Sequence, residues 1–143
     1  MRFSTRGHYG LRAMLAFAQA YDRGPVALAE VARNEGLSLA YLEQLAMALR
    51  RAGLITSVRG ARGGYRLSAD PSQVKVGQVL RALEGPFAPA ECAAEMSEGC
   101  HCQRELTCLS RPLWERLRDS VSQVMDSTSL ADLCQGHQEA SHG

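Results

Sequence analysis

The sequence predicts a mainly α fold: a winged helix-turn-helix with a small β-hairpin wing, followed by a long C-terminal dimerisation helix. Three observations predict it. Two helices separated by a short turn end near residue 52, an arginine-rich hairpin follows directly, and a long apolar stripe begins near residue 110. A chain of 143 residues has room for one such domain and an extension that packs against a partner.

The first three helices are predicted from apolar spacing and from the residues that end each helix. The first is expected over residues 5–21, because apolar residues recur at helical intervals and Gly24-Pro25 follows them. A short helix is expected over 28–34. Ser38 is a good N-cap for a third helix over 39–51, after which Gly53 closes the pattern.

The segments after the third helix predict a hairpin. "LITSV" alternates like a strand, "RGARGG" is a glycine-rich loop, and "YRLS" resumes the strand. A hairpin in this place is typical of the wing of a winged helix. Arg59 and Arg62 are then expected at its tip, where they reach phosphate or the minor groove. The alternative is that they are ordinary exposed arginines.

Two more helices are expected. "VKVGQVLRALEG" predicts the fourth, and residues 109–133 predict one long helix with Ser110 as its cap and Pro112 in its first turn. The apolar stripe of this helix requires a cover, either a second copy of the chain or the chain's own first helix. Residues 135–143 are polar and are expected to be disordered.

Charge is divided unevenly along the chain. Residues 1–83 carry eleven Arg and one Lys against five acids, whereas residues 84–143 carry four Arg against ten acids. The formal charges are thus +7 and −6, which favours a polyanion as partner of the first half over chance scatter. No apolar run is long enough for a membrane span and the N-terminus lacks a secretory pattern, so we expect a cytoplasmic protein with no membrane partner.

Four of the five cysteines and one histidine lie within "CAAEMSEGCHCQRELTC", residues 92–108. In a reducing compartment, clustered cysteines are metal ligands or redox groups more often than disulfides. The expected organisation is therefore a DNA-binding domain over 1–84, a cysteine-rich sensor loop over 85–109, a dimerisation helix and its end over 110–134, and the tail.

Four stretches resemble a known family: "RFSTRGHYGLRAML", "LSLAYLEQLAMALRRAGLITSVRGARGGYRLS", "VGQVLRALEG" and "CLSRPLWERL". The chain is similar to the IscR group of bacterial transcription regulators, the dimeric winged-helix family that includes NsrR, RirA and CymR. The resemblance implies a homodimer on an imperfect palindrome of double-stranded DNA, with the third helix in the major groove and Arg59 in the minor groove. By position, its base-reading candidates are Ser38, Tyr41, Glu43 and Gln44.

The residue types agree with this role. Glu43 can accept a hydrogen bond from the cytosine amino group, and Gln44 can pair with the donor and acceptor of adenine. Glu43 also repels phosphate, so it penalises sites that offer it no donor. Position 40 is Ala40 here, where IscR-like members often have serine, so the preferred operator is expected to differ.

The resemblance also implies an iron-sulfur cluster, 2Fe-2S in preference to 4Fe-4S, held by Cys92, Cys102 and Cys108. Two features depart from the family pattern. Cys100 offers a competing thiolate, and Arg111 stands where IscR has its histidine ligand. The candidates for a fourth ligand are Cys100, His101 and His8, the last supplied by the partner subunit as an acidic residue is in NsrR-like members.

Two alternatives of the same fold remain open. A Cys/His set can hold zinc, although the close CxxC pairs typical of structural zinc are absent. The "CHC" triplet also places an imidazole beside two thiols and favours a thiol redox switch. The chain has no nucleophile elbow, phosphate loop or paired carboxylates, so an enzyme is not expected, and a pure interaction module leaves the arginine-rich wing unexplained.

Overall fold

A computed structural model describes residues 4–87 and 109–142 of the chain, with side chains described as far as residue 136. The helices are α1 (Thr5–Gln19), α2 (Leu28–Glu35), α3 (Leu39–Arg51), α4 (Val76–Glu84), α5 (Arg111–Ser127) and α6 (Leu130–His142); the strands are β1 (Ile55–Val58) and β2 (Gly64–Leu67). Two 3-10 turns, Tyr21–Arg23 and Pro71–Gln73, lie between them. The expected winged helix-turn-helix is confirmed.

Local signals set both ends of the α2–α3 connection. Gly36 adopts a left-handed conformation, with φ 68° and ψ 33°, that ends α2. The backbone N–H of Leu37 then donates to the carbonyl of Ala32 at 2.9 Å. Two residues after Gly36, the Ser38 hydroxyl oxygen accepts the N–H of Tyr41 at 3.2 Å and starts α3. The turn is therefore short, and α3 begins where the sequence predicts.

The wing is an antiparallel hairpin tied to the rest of the domain. Ile55 pairs with Leu67 and Val58 pairs with Gly64. The backbones of Val26 and Tyr65 exchange two further hydrogen bonds, of 2.9 and 2.8 Å. A side chain at Gly64 would overlap the Val26 backbone, so glycine permits this close approach. The hairpin is thus held in a fixed position beside α1 and the segment that leads into α2.

The core is built around α1, which packs against α4, α6 and β2. Its largest fully buried side chains come from α1, α2, α3, β2, α4 and α6: Phe17, Met14, Leu42, Leu45, Leu49, Leu67, Leu130, Val31 and Val79. Gly7 and Gly10 face α4, and a methyl group on Gly10 would overlap Leu83 Cδ1. Small residues at these two positions allow α1 and α4 to approach closely.

The end of α4 caps the start of α1. A carboxylate oxygen of Glu84 accepts the backbone N–H groups of Ser4 at 2.5 Å and Gly7 at 3.2 Å, and also accepts from the Ser4 hydroxyl. Arg6 Nε donates to the Leu83 carbonyl at 3.2 Å. A carboxylate at a helix N-terminus satisfies unpaired N–H groups and complements the helix dipole. The two helix ends are therefore coupled immediately before the cysteine-rich segment.

The C-terminal region differs from the single helix expected over 109–133. Ser129 and Asp132 form a capping box that starts a new helix: the N–H of Asp132 donates to Ser129 Oγ at 3.0 Å, and the N–H of Ser129 donates to Asp132 Oδ2 at 2.9 Å. The break also frees backbone groups to bond the segment before α4, since Val76 N–H donates to the Thr128 carbonyl at 2.9 Å. The tail expected to be disordered is helical as far as His142.

An ion pair joins α5 to α4. Arg81 contacts the Asp126 carboxylate through both terminal nitrogens, at 2.5 and 3.1 Å. Gly77 lies beneath this pair, and a side chain there would overlap Asp126 Oδ1. Within residues 4–87 and 109–142, no helix is long and apolar enough to cross a membrane.

Candidate nucleic-acid interface

The outward face of α3 is the exposed side of the predicted recognition helix. The inward side is buried through Leu42, Leu45, Ala46 and Leu49. The outward face comprises the exposed residues Leu39, Ala40, Glu43, Gln44, Met47, Arg50 and Arg51. Because one side anchors the helix in the core, the other side is presented to solvent as a rigid surface.

Three of the four predicted base-reading residues lie on or beside this face. Glu43 and Gln44 are exposed one turn into the helix, and Ser38 is exposed directly before it. The Ser38 hydroxyl oxygen already accepts the N–H of Tyr41. Its hydroxyl hydrogen remains available to donate, so the structure leaves Ser38 a donor role at a base or phosphate.

Tyr41 is placed differently from the other three. Its ring is half-buried and meets Tyr9 of α1 edge-on, with centroids 6.4 Å apart and ring planes at 87°. Its hydroxyl is buried, with no hydrogen-bond partner in the described part of the chain. In this structure Tyr41 connects α3 to α1, and its base-reading role stays a prediction.

The wing tip presents two arginines. Arg59 and Arg62 are both exposed, in the loop between β1 and β2. Gly60 has a φ of 117° and Gly63 lies so close to Val58 that a side chain would overlap its carbonyl. Neither arginine forms an ion pair with a carboxylate among residues 4–87 and 109–142. The tight turn therefore places two unneutralised guanidinium groups at the end of the hairpin.

The surface around α3 and the wing is electropositive. The chain has no acidic residue between Gln44 and Ala69, a stretch that carries five arginines. Arg66 lies over the Tyr21 ring, 5.6 Å from its centroid, as a cation–π contact. Arg50 and Arg51 are exposed at the end of α3. Such a concentration of one charge attracts nucleic-acid phosphate over long range.

The predicted cluster ligands of the sensor loop fall outside the described residues: Cys92, Cys100, His101, Cys102 and Cys108. Their ligand roles therefore stay predictions. His8 is described and is exposed on α1. Arg111 begins α5, where its Nε donates to Glu115 Oε1 at 2.8 Å. Within the described ranges, no three His, Cys, Asp or Glu side chains converge as a metal site.

The side chains predicted as ligands have the chemistry that an iron-sulfur cluster requires. Thiolates are the ordinary ligands of such clusters, and an exposed imidazole such as His8 can serve as a further one. Cys134 of α6 belongs to a different environment. Burial raises the pKa of its thiol, which favours the protonated, unreactive form.

Two exposed apolar residues of the outward face were not anticipated as contact residues. Met47 is 51% exposed and Leu39 is 42% exposed. Their positions in the apolar-rich third helix suggest core packing from composition alone. Spacing could have identified Met47, because it follows Ala40 by seven positions and therefore lies on the same side of the helix.

Comparison with known proteins agrees with the winged-helix fold. The family described as "Rrf2: Iron-dependent Transcriptional regulator" matches residues 3–136. The HTH-type transcriptional regulator CymR of Bacillus subtilis is 42% identical over 98% of this chain and 96% of that protein. The regulator IscR of Aliivibrio salmonicida is 41% identical over 93% of this chain and 77% of that protein.

Solved structures give the same result. The structure of B. subtilis CymR, described as the global cysteine regulator, superposes with a TM-score of 0.78 and covers 94% of this chain and 97% of that one. T. potens IscR superposes with a TM-score of 0.79 at 40% identity, covering 98% and 90%. These relatives are transcription regulators and not enzymes, as expected here. The chain belongs to the Rrf2 family of winged-helix transcription regulators.

Proposed function

We propose that this protein is a homodimeric bacterial transcription regulator that binds an imperfect palindromic operator, with an affinity controlled by an iron-sulfur cluster. The observation that carries the DNA-binding part is the outward face of α3 beside an acid-free, arginine-rich surface. Polar side chains that can read base edges and cations that can contact phosphate occur there together, as DNA-binding helices require.

The two elements have separate roles in this proposal. Glu43 and Gln44 read base edges in the major groove, where donor and acceptor patterns distinguish the four base pairs. Arg59 and Arg62 reach past α3 to the phosphates or the minor groove, which fixes the position of the helix. Sequence preference then depends on α3, and overall affinity depends largely on the wing.

The homodimer is supported by the exposed apolar side of α5. Leu113 is 58% exposed and Val124 is 64% exposed, on the same face of the helix. Arg81 and Asp126 hold the opposite side of α5 against α4. Pairing this face with its copy in a second chain buries both residues, and it gives two α3 helices related by a two-fold axis. A palindromic operator is the DNA counterpart of that symmetry.

The sensing part rests on the cysteine segment and on α1. Cys92, Cys102 and Cys108 would hold the cluster, with Cys100, His101 or the partner's His8 as candidates for the fourth place. When bound, the cluster would make the protein sensitive to iron supply, oxidation or nitric oxide. A thiolate set in a bacterial cytoplasm can be filled or emptied as conditions change.

Contacts of α1 offer a route from this site to α3. His8 is followed by Tyr9, whose ring packs on Tyr41 of α3. The start of α1 is also bonded to Glu84, the residue immediately before the cysteine-rich segment predicted over 85–109. A displacement of α1 is therefore transmitted to the recognition helix through packed side chains.

A second candidate is a thiol-sensing or zinc-bound regulator of the same fold. It is favoured by the likeness to B. subtilis CymR, which is described as a cysteine regulator. In this case, oxidation of two thiols in the "CHC" segment, or loss of zinc from a Cys/His set, would replace cluster chemistry as the signal.

The DNA-binding proposal is tested by selecting bound duplexes from a randomised pool at moderate salt. We expect an inverted repeat whose half-sites lie about one helical turn, or a multiple of it, apart. A recovered pool without a shared sequence would overturn the proposal.

The cofactor is tested by anaerobic purification, followed by a visible absorption spectrum and analysis of iron, sulfide and zinc. The cluster proposal predicts coloured protein containing iron and sulfide, a loss of colour in Cys102→Ala, and unchanged colour in the control Cys134→Ala. Colourless protein that cannot be reconstituted with iron and sulfide contradicts it, and stoichiometric zinc supports the alternative.

A further inference from the structure

Two apolar residues lie along the centre of the outward face of α3. Ala40 and Met47 are seven positions apart, which places them within about 20° of each other around the helix axis. Both are exposed, and Met47 is exposed to 51%. Glu43 and Gln44 lie between them along the axis, one on either side. We refer to Ala40 and Met47 as the apolar stripe of α3.

The apolar stripe takes no part in the packing of its own domain. The buried side of α3 consists of Leu42, Leu45, Ala46 and Leu49, on the opposite side of the helix. The apolar side chain of Met47 has four heavy atoms and is half-exposed between base-reading side chains. It is therefore available to contact the partner that the helix binds. The surrounding arginines indicate that this partner is a polyanion.

The major groove offers one apolar group to such a surface. Thymine carries a 5-methyl group there, and apolar side chains recognise it by contact. We propose that Ala40 and Met47 contact thymine methyl groups, so that each half-site carries thymines on both sides of the base pairs read by Glu43 and Gln44. This inference rests on the proposed function of α3 as the recognition helix.

Helix geometry gives the separation of these thymines. Seven helical residues span about 10 Å, and stacked base pairs are about 3.4 Å apart. Ala40 and Met47 therefore reach positions about three base pairs apart along the groove. Ala40 also explains why the operator would differ from that of IscR-like relatives, since a methyl group selects thymine where a serine hydroxyl selects a hydrogen-bonding edge.

The test uses a duplex selected by this protein, in which each dT is replaced in turn by dU. Uracil lacks only the methyl group and keeps its hydrogen bonds. We expect about a fourfold loss of affinity at two thymines in each half-site, from the burial of one methyl group. Thymines elsewhere in the duplex should tolerate the change.

Variants then assign each thymine to its residue. In Met47→Ala the dT and dU duplexes should bind equally at one position, and in Ala40→Ser at the other, whereas Met47→Leu should keep the difference. Equal binding of every dU duplex by the unaltered protein, or an unchanged dU profile in Met47→Ala, overturns the inference and leaves DNA binding intact. Failure to select any duplex instead contradicts the proposed function itself.

Discussion

Two regions differ in how their apolar side chains are buried: the N-terminal unit, which comprises α1 to α4 with the wing, and the long helix α5. Of the thirteen residues of α3, four are buried within the domain. Of the seventeen residues of α5, only Met125 is buried. Leu113 and Val124 remain exposed on α5. The N-terminal unit therefore buries its apolar side chains within one chain, whereas α5 keeps an exposed apolar face, which we propose is covered by a second chain.

The rigid part of the N-terminal unit is also distinct from the part that we propose responds to a signal. The recognition helix is fixed by its own cap and by buried leucines, so that its outward face has one geometry. The elements that could change this geometry, α1 and the segment entering the cysteine-rich loop, join it through the Tyr9–Tyr41 contact and the Glu84 cap. Five predictions test this division, from the largest expected effect to the smallest.

The double variant Leu113→Asp, Val124→Asp should break the dimer and leave the N-terminal unit folded. Charges on the covered face of α5 repel each other and remain poorly solvated. Operator affinity should fall by about a hundredfold or more, because the two half-sites are no longer bound together. Sedimentation and DNA titration measure both effects. Gln123→Asp, which lies off the stripe, is the control, and a double variant that stays dimeric would contradict the assignment of α5.

Gly10→Ala should destabilise the N-terminal unit, at a position on α1 that lies outside the outward face of α3. The added methyl group overlaps Leu83, which is buried, so α1 and α4 must move apart. Overpacking of this kind costs about 1–3 kcal/mol. Thermal or urea unfolding measures it, with Gly136→Ala as the control because no atom lies within 4 Å of the added group. Equal stability of the two variants would argue against the close approach of α1 and α4.

Arg59→Ala should weaken DNA binding about tenfold and reduce its salt dependence, since one phosphate neutralisation is lost. Binding to selected and scrambled duplexes should weaken by a similar factor if Arg59 contacts phosphate. A titration at several salt concentrations measures both properties. Unchanged affinity across the salt series would remove Arg59 from the interface.

Ser129→Ala should destabilise the start of α6 by about 1 kcal/mol, the usual value of an N-cap side chain. The effect should be largest at the C-terminal pair of helices. Hydrogen exchange of the α6 amides measures it directly. Faster exchange throughout α3 in this variant would show that the two regions are less independent than proposed.

The same cap predicts a small dependence on pH. The backbone N–H of Ser129 donates to the Asp132 carboxylate and lowers its pKa below the ordinary 3.8. A carboxylate with a lowered pKa contributes its stabilisation above the ordinary value, and the contribution is lost as the pH falls through the lower folded-state pKa. In Asp132→Asn, the free energy of unfolding should therefore fall less steeply as the pH becomes acidic.

Local signals explain why most of the fold was predictable. Ser38 as a cap, the glycine that ends α2 and the alternating strands of the wing each determine structure within a few residues. The break before α6 was missed because apolar residues resume directly after the polar pair Thr128 and Ser129, at Leu130 and Leu133. Hydrogen bonds from Val76 and Leu130 to distant backbone groups stabilise the break, and these partners are not adjacent in sequence.

The candidate site likewise contains residues that the local sequence pattern predicts and residues that it does not. Glu43, Gln44, Arg59 and Arg62 are exposed as predicted, because surface positions on a helix face or hairpin tip follow from local pattern. Tyr41 was predicted beside them, yet its ring packs on Tyr9, a contact between helices that spacing alone does not reveal. Met47 was passed over because methionine in an amphipathic helix more often indicates core packing.

The central claim is that the outward face of α3 reads a specific duplex. Its most direct test is an equilibrium titration of the selected duplex and a scrambled duplex by the unaltered protein and by Glu43→Ala. The unaltered protein should prefer the selected duplex by about a thousandfold or more at physiological salt. Glu43→Ala should bind the scrambled duplex at least as well and lose much of that preference. Equal affinity of the unaltered protein for both duplexes would contradict the claim.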